Sequence, residues 1–443
     1  MEQHKIYQQA ITLKGVMCFV LPTVLMMLIQ QSYAMIDGIF IANEVGDTAL
    51  SSITLISPYL NFFTAIASML ASGGSAVVMK KMGEKKEQTA REDFSALLVL
   101  SVLIGAVLTV LVLLFAKELV AVFQAEAIVS SYCLKYLSAY GFFIIPSLLF
   151  SSLQIYTIAV GNAKRAMFAG LFGGVFNILC DYLFIVIFHM EMSGAAIASG
   201  FGLLIPCVIL AYPLLQKRNA LHFTTPVFRK ATVFKTFTNG CSEFASNLVS
   251  GIVMLIFNAQ MLKLAGSNGV AASTVTFYVF GLMSAFYMGY MFGISPLLSY
   301  FYGEGSSEKL RRLKQISLRF IAVAALITTL LSVFASAPLV SIFTDPAGSA
   351  YTLALKGNRI FSFALLFVGF NTFSGMFFTA LSNGKVSAVI AFSRSFVFLV
   401  IMIIILPIVF GINGLWLAVP LSELTALGLS FYLLKKYQAV YAY

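Results

Sequence analysis

The chain has 443 residues, of which 60% are hydrophobic and only 10% charged, with a net charge of +11. A mean hydropathy of +0.94 excludes a soluble globular domain of this length and makes the chain a polytopic membrane protein. The positive surplus demands no nucleic-acid partner if it follows membrane topology, and a basic face also suits the headgroups of membrane lipids.

In chain order, the opening MEQHKIYQQAITLKG is polar and mixed in charge. The apolar run after it is too long for a signal peptide and lacks a small-residue cleavage site, so the first span is expected to stay. A span needs about 20 apolar residues. Such runs fall at 16–42, 51–79, 94–116, 132–160, 166–188 and 194–216, then at 240–264, 270–302, 316–338, 358–381, 386–409 and 414–434. The expected fold is therefore all-α, with twelve transmembrane helices. The domains are an N-lobe over 1–216, a cytoplasmic linker over 217–239 and a C-lobe over 240–443. The linker region reads either as a tether or as an interfacial amphipathic helix.

Basic residues set the orientation, because cytoplasmic loops retain Lys and Arg. Twenty-three of them, from Lys5 to Lys436 with Arg218 and Arg394 included, fall at one set of helix ends, against Lys117, Lys135, Lys263, Lys356 and Arg359 at the other. Both termini are thus expected in the cytoplasm of a multi-pass plasma-membrane protein. Asp47, Glu84, Glu87, Glu92, Asp93, Glu304 and Glu308 read as solvated loop charge.

The halves repeat. Gly46 and Gly83 match Gly266 and Gly303, Ser75 matches Ser295, Glu84 matches Glu304 and Phe123 matches Phe343, all displaced by 220; Asn162 and Lys164 meet Asn383 and Lys385 at 221. Six spans per copy is an even number, so the copies run parallel, related by an axis along the membrane normal. Two pseudo-symmetric six-helix lobes should face each other across a central cavity. Pro22, Pro58, Pro146, Pro206, Pro296 and Pro420, with Gly73, Gly74, Gly173, Gly174 and Gly293, mark sites for kinks or close helix approach.

Chemistry concentrates in two spans. Asp181 lies inside the fifth, with Asn177 one turn earlier on the same face, and Asp37 lies inside the first. An acid at membrane depth costs about 2.5–3.5 kcal/mol to insert, so its default reading is functional. At the repeat offset the C-lobe carries no carboxylate at either position, which argues for a task rather than architecture. Two carboxylates in one lobe resist ionising together, and a proton or small hard cation relieves that repulsion. Asn177 and Ser199 can add neutral oxygens, and an oxygen-only set suits Na⁺ or H⁺ rather than a soft metal. The alternative is a pair of acids hydrogen-bonded for packing alone. The histidines offer no metal site, and the five cysteines lack CxxC spacing and read as apolar fillers. No cofactor is expected beyond the coupling ion.

Glu243 near the start of the seventh span is open between helix cap and function. Glu423 in the twelfth is open between lining the cavity and pairing with a basic neighbour. Further polar candidates for a substrate cavity are Gln30, Tyr33, Asn61, Gln154, Asn258, Tyr287 and Asn371. Met and aromatic residues would give such a cavity a pliable apolar wall.

The runs YAMIDGIFIANEVGDTALSSI, VGNAKRAMFAGLFGGVFNILCDYLFI, MSGAAIAS and NGCSEFASNLVSGIVMLIFN, in that order within two six-helix halves, resemble the MATE (multidrug and toxic compound extrusion) transporters. Within them the chain is most similar to the MepA-like bacterial branch. The resemblance covers essentially the whole chain. It implies a prokaryotic, monomeric secondary exporter of amphipathic, mostly cationic drug-like compounds, driven by H⁺ or Na⁺, not an enzyme. It also implies a cation site on Asp37, Asn177, Asp181 and Ser199, the serine standing where threonine is common. A lipid-linked glycan flippase of the same broad fold is the alternative, but its diphosphate substrate should demand basic residues in the cavity. An intramembrane enzyme would need a metal motif, Walker loop or nucleophile elbow that the chain lacks.

Overall fold

The computed structural model describes residues 11–217 and 219–443; residues 1–10, with Lys5, and Arg218 lie outside it. Helices follow from the composition, since at membrane depth each backbone polar group must be satisfied within its own segment. In order they are α1 (Leu13–Glu44), α2 (Asp47–Gly83), α3 (Glu87–Ala121), α4 (Ala127–Gly141), α5 (Ile144–Ala159), α6 (Ala163–Asp181), α7 (Glu191–Leu215), α8 (Lys230–Glu304), α9 (Ser307–Phe334), α10 (Ser336–Ser341), α11 (Ser349–Phe361), α12 (Leu365–Ala380), α13 (Gly384–Phe392) and α14 (Leu399–Tyr441). π-Helical turns follow α6 (Tyr182–Ile187) and α13 (Ser393–Phe398), and a 3₁₀ turn joins α11 to α12. No strand occurs among the described residues.

Nine stretches are long and apolar enough to cross a bilayer, and the pair α4–α5, bent by 55°, makes a tenth. The 75 residues of α8 would reach about 110 Å if straight, far beyond the roughly 30 Å of a hydrocarbon core. It breaks at Gly266, whose φ of 63° and ψ of −156° only glycine adopts freely. α14 breaks likewise at Gly411, with φ 56°. Each therefore supplies two spans, and the described residues contain twelve. The expected boundaries agree to within about ten residues, the largest gap being the start of α8.

One hydrophobic core unites both lobes at the basic helix ends, joining Val20 and Val24 of α1, Val78 and Met79 of α2 and Phe94 of α3 to Tyr290, Leu298 and Phe301 of α8 and Phe377 of α12. At the opposite ends the core splits. One cluster, around Ile41, Phe63, Tyr136 and Ile185, belongs to the N-lobe; another, around Phe257, Met261, Phe361 and Trp416, belongs to the C-lobe. The lobes thus form a V whose apex lies at the basic ends.

The apex is sealed by backbone. A Cβ on Gly83 would sit 2.0 Å from the Tyr300 carbonyl oxygen, and one on Gly303 would sit 1.9 Å from that of Lys80; these two contacts are related by the 220-residue repeat. Gly73 meets Thr236 and Gly240 in the same manner, while Gly289 and Gly293 meet Val20, Thr23 and Val24. The Thr23 hydroxyl lies 2.7 Å from the Gly289 carbonyl oxygen, to which it donates across the lobes. Gly73 and Gly293 are contact points rather than kinks, and the sharp breaks fall at Gly266 and Gly411 instead.

Between the lobes the chain is not helical from Asn219 to Arg229, and α8 starts at Lys230. This stretch is fastened to the N-lobe. Arg91 donates to the Ala220 carbonyl at 2.8 Å, the Thr224 amide donates to Ser95 Oγ at 2.9 Å, and Arg229 donates to Asp93 Oδ1 at 2.8 Å and to Glu92. Asp93 also receives Lys81 and Thr232. The reading of Asp93 as solvated loop charge is corrected: it lies in α3, is fully buried, and is matched by two cations. Its principal partner is 136 residues away.

Candidate cation and substrate sites

In the separated half of the N-lobe, α1 presents Asp37, α6 presents Asn177 and Asp181, and α7 presents Ser199. Asp181 and Asn177 are buried and Asp37 is half-buried. The Asp37 and Asp181 carboxylates interact with each other, and Asp37 also reaches the Ser199 hydroxyl. Even so, Asp37 Oδ1, both Asp181 oxygens and Asn177 Oδ1 are buried without a hydrogen bond of normal geometry. A buried acceptor left unmade costs about 1–3 kcal/mol, and four of them fall on these three residues. Among the described residues no group of three or more His, Cys, Asp or Glu could hold a metal ion.

The helix changes pitch beside this site, because the π-turn Tyr182–Ile187 begins at the residue after Asp181; such turns recur at functional positions. Tyr33 lies close enough to Asp37 to feel its charge. Tyr136, which the sequence did not single out, does the same for both acids and meets Ser199. It stacks on Tyr140, with centroids 6.0 Å apart. The one signal for it was the run of three tyrosines at four-residue spacing, Tyr132, Tyr136 and Tyr140, in SYCLKYLSAYG.

The C-lobe holds a second polar centre. Glu243, Tyr287, Asn371, Thr372 and Arg394 line a cavity of about 220 Å³. Arg394 and Glu423 also border a neighbouring cavity of about 320 Å³ walled by Phe257, Phe277, Phe280 and Phe361. Arg394 Nε donates to Glu423 Oε1 at 2.7 Å, and Nη1 donates to Thr372 Oγ1 at 2.9 Å. Asn371 Nδ2 donates to Glu423 Oε2 at 2.7 Å, and Asn371 Oδ1 accepts from Ser430 Oγ at 2.9 Å.

Two sequence readings are corrected here. Arg394, counted at a cytoplasmic end, lies ten residues into the eleventh span, about 15 Å along the helix. Glu243 lies thirteen residues into α8, too far along to cap it. Glu423 combines the two roles left open for it, pairing with Arg394 and lining a cavity.

The remaining candidates scatter. Asn258 accepts from Ser273 at 3.0 Å within its lobe. Gln154 is buried with Nε2 unpaired, as is Gln30 Nε2, which faces Gly170 of α6. Asn61 faces Gly251 of α8 across the lobes. Tyr287 borders the C-lobe cavity, but its hydroxyl is held by Thr328 and the Leu365 carbonyl. All five cysteines are free thiols; Cys133, Cys180 and Cys207 are buried, whereas Cys18 and Cys241 are exposed.

Two parallel six-span repeats meeting at one end and parting at the other, with an acid pair in one lobe, define a two-lobed membrane-transporter fold. The MatE family model matches residues 22–183 and again 244–405, a displacement of 222 residues. The chain belongs to the MatE family. The multidrug export protein MepA of Staphylococcus haemolyticus is 23% identical over 94% of this chain and 90% of its own length; that of Staphylococcus saprophyticus is 22% identical over the same shares. Among solved structures, a MATE in complex with MaL6 superposes with a TM-score of 0.94 at 20% identity, covering 100% of this chain and 99% of that one. An outward-facing multidrug resistance MATE transporter of the MOP superfamily gives 0.93 at 20% identity with the same coverage.

Proposed function

We propose that the protein is a secondary active multidrug exporter of a prokaryotic plasma membrane, exchanging amphipathic, mostly cationic compounds for H⁺ or Na⁺ by alternating access. The observation that carries this reading is the set of unpartnered oxygens on Asp37, Asn177 and Asp181 in the N-lobe. With the basic ends in the cytoplasm, the V opens outward. A proton shared between Asp37 and Asp181, or a Na⁺ held by them with Asn177 and Ser199, removes the repulsion between the carboxylates. It therefore favours whichever state brings them closest. The ion need discriminate between the two states by only a few kcal/mol to redirect the populations. The aromatic and polar walls of the C-lobe cavities would receive the compound, and names of relatives such as "multidrug export protein" agree with that assignment. The half-buried guanidinium of Arg394 does not favour a flippase, since Glu423 already neutralises it.

The test is dye efflux from proteoliposomes under an imposed pH or Na⁺ gradient. Asp37→Asn and Asp181→Asn should each abolish gradient-driven efflux while leaving a folded protein. Wild-type efflux in both variants would refute coupling through the N-lobe.

A further inference from the structure

An arginine at mid-span calls for a reason to be there, because a charge at that depth is costly to insert. The repeat supplies the comparison. In the N-lobe, spans one, five and six bring two carboxylates and a hydroxyl together, leaving carboxylate oxygens unpartnered. In the C-lobe the corresponding spans seven, eleven and twelve contribute Glu243, Arg394 and Glu423, again two carboxylates, but now with a guanidinium among them. Arg394 sits in a π-helical turn, and Asp181 adjoins the π-turn of the equivalent helix.

At the 221-residue offset of this span Arg394 corresponds to Gly173. A Cβ there would sit 2.5 Å from the Gly202 carbonyl oxygen, so the N-lobe has no room for a side chain at that position. The C-lobe has a cavity. Sharing it with Arg394 are the titratable groups Glu243 and Tyr287, while Glu423, on the neighbouring cavity, pairs with Arg394 directly. The Glu243 carboxylate lines the same cavity as Arg394 and feels its charge.

We propose that Arg394 is a built-in cation, filling for the C-lobe carboxylates the place that an exchangeable H⁺ or Na⁺ fills in the N-lobe, so that the C-lobe takes no coupling ion. This rests on the N-lobe reading above. It makes Arg394 the residue that restricts ion coupling to one lobe, and it makes its removal a gain of ion dependence rather than a simple loss.

The experiment measures thermal stability of detergent-purified protein in sodium chloride against choline chloride, and at pH 6 against pH 8. Wild type responds through its N-lobe. Asp37→Asn/Asp181→Asn should not respond. Adding Arg394→Met to that pair should restore a response to Na⁺ or acid, a Tm rise of about 2 °C or more, and further adding Glu423→Gln should reduce or abolish it. A folded Asp37→Asn/Asp181→Asn/Arg394→Met protein with no response to either overturns the proposal alone. A response that survives in Asp37→Asn/Asp181→Asn, with Arg394 present, overturns both it and the N-lobe reading. If the methionine variant does not purify, Arg394→Ala in the same background is prepared in millimolar ethylguanidinium. Its Tm must rise with ethylguanidinium, and in its absence with Na⁺ or acid; no rise with any of the three refutes the built-in cation.

Discussion

Gly303→Ala tests the sealed apex directly. A methyl at that position lies 1.9 Å from the Lys80 carbonyl oxygen, and 3.0 Å is the distance below which Cβ atoms are essentially never found. The obstacle is backbone, so no rotamer relieves it, and α2 and α8 must part by at least 1.1 Å. Overpacking of this kind costs about 1–3 kcal/mol, and only in the state whose basic ends touch. The ratio of the two states should therefore move by about 5- to 150-fold toward the one with parted basic ends. Spin labels at the exposed Gln88 and Glu308, in the first turns of α3 and α9, report this as a new longer-distance population in pulsed dipolar spectroscopy. Gly83→Ala should do the same, its Cβ falling 2.0 Å from the Tyr300 oxygen. Gly305→Ala is the control: it has φ 74° but nothing within 4 Å, so it strains the chain without prising the lobes apart. Unchanged distances in folded Gly303→Ala and Gly83→Ala would refute the seal.

Three further outcomes are expected. Asp93→Asn should lower stability by about 2 kcal/mol, less than the loss for a wholly buried pair because Lys81 and Arg229 are partly exposed; thermal denaturation measures it, and a wild-type Tm would mean the cluster is ornamental. Tyr136→Phe should weaken the ion dependence of efflux about 2- to 10-fold through loss of a hydroxyl beside Ser199 and the two acids, seen as a shifted half-saturation for the driving ion. Gly266→Ala should destabilise by about 1–3 kcal/mol through its left-handed φ. Gly428→Ala, in open space within α14, should stabilise slightly, and a reversed order of the two Tm values would contradict the backbone argument.

The fold was legible because membrane spans announce themselves by length and the duplication keeps landmarks such as Gly46 and Gly266, both at positive φ. Asn177 and Asp181 could be placed on one helix face by spacing alone. Asp37, 144 positions away, was joined to them by depth and by the absence of either acid from the C-lobe, and the family resemblance pointed the same way. The misreadings share one cause, partners remote in sequence. Asp93 looked like loop charge because the polar opening of α3 hides where the helix begins and Arg229 is remote in sequence. Arg394 looked like a topogenic charge because counting basic residues near span ends does not see a carboxylate arriving from another helix. Tyr136 was lost among 19 tyrosines, where no composition rule separates a site residue from packing.

The fastening of the interlobe chain at Arg229 sets the kinematics of the pair. The first helix of the C-lobe starts one residue beyond an anchor on the N-lobe, so there is almost no slack with which the lobes could slide past or withdraw from one another. What remains is rotation about a point near the apex. A small angular change there becomes a large displacement at the far ends of helices such as α1 and α2, of 32 and 37 residues and so about 50 Å long. Lengthening the chain just after Arg229 would convert a lever into a leash, and would uncouple opening at one end from closing at the other.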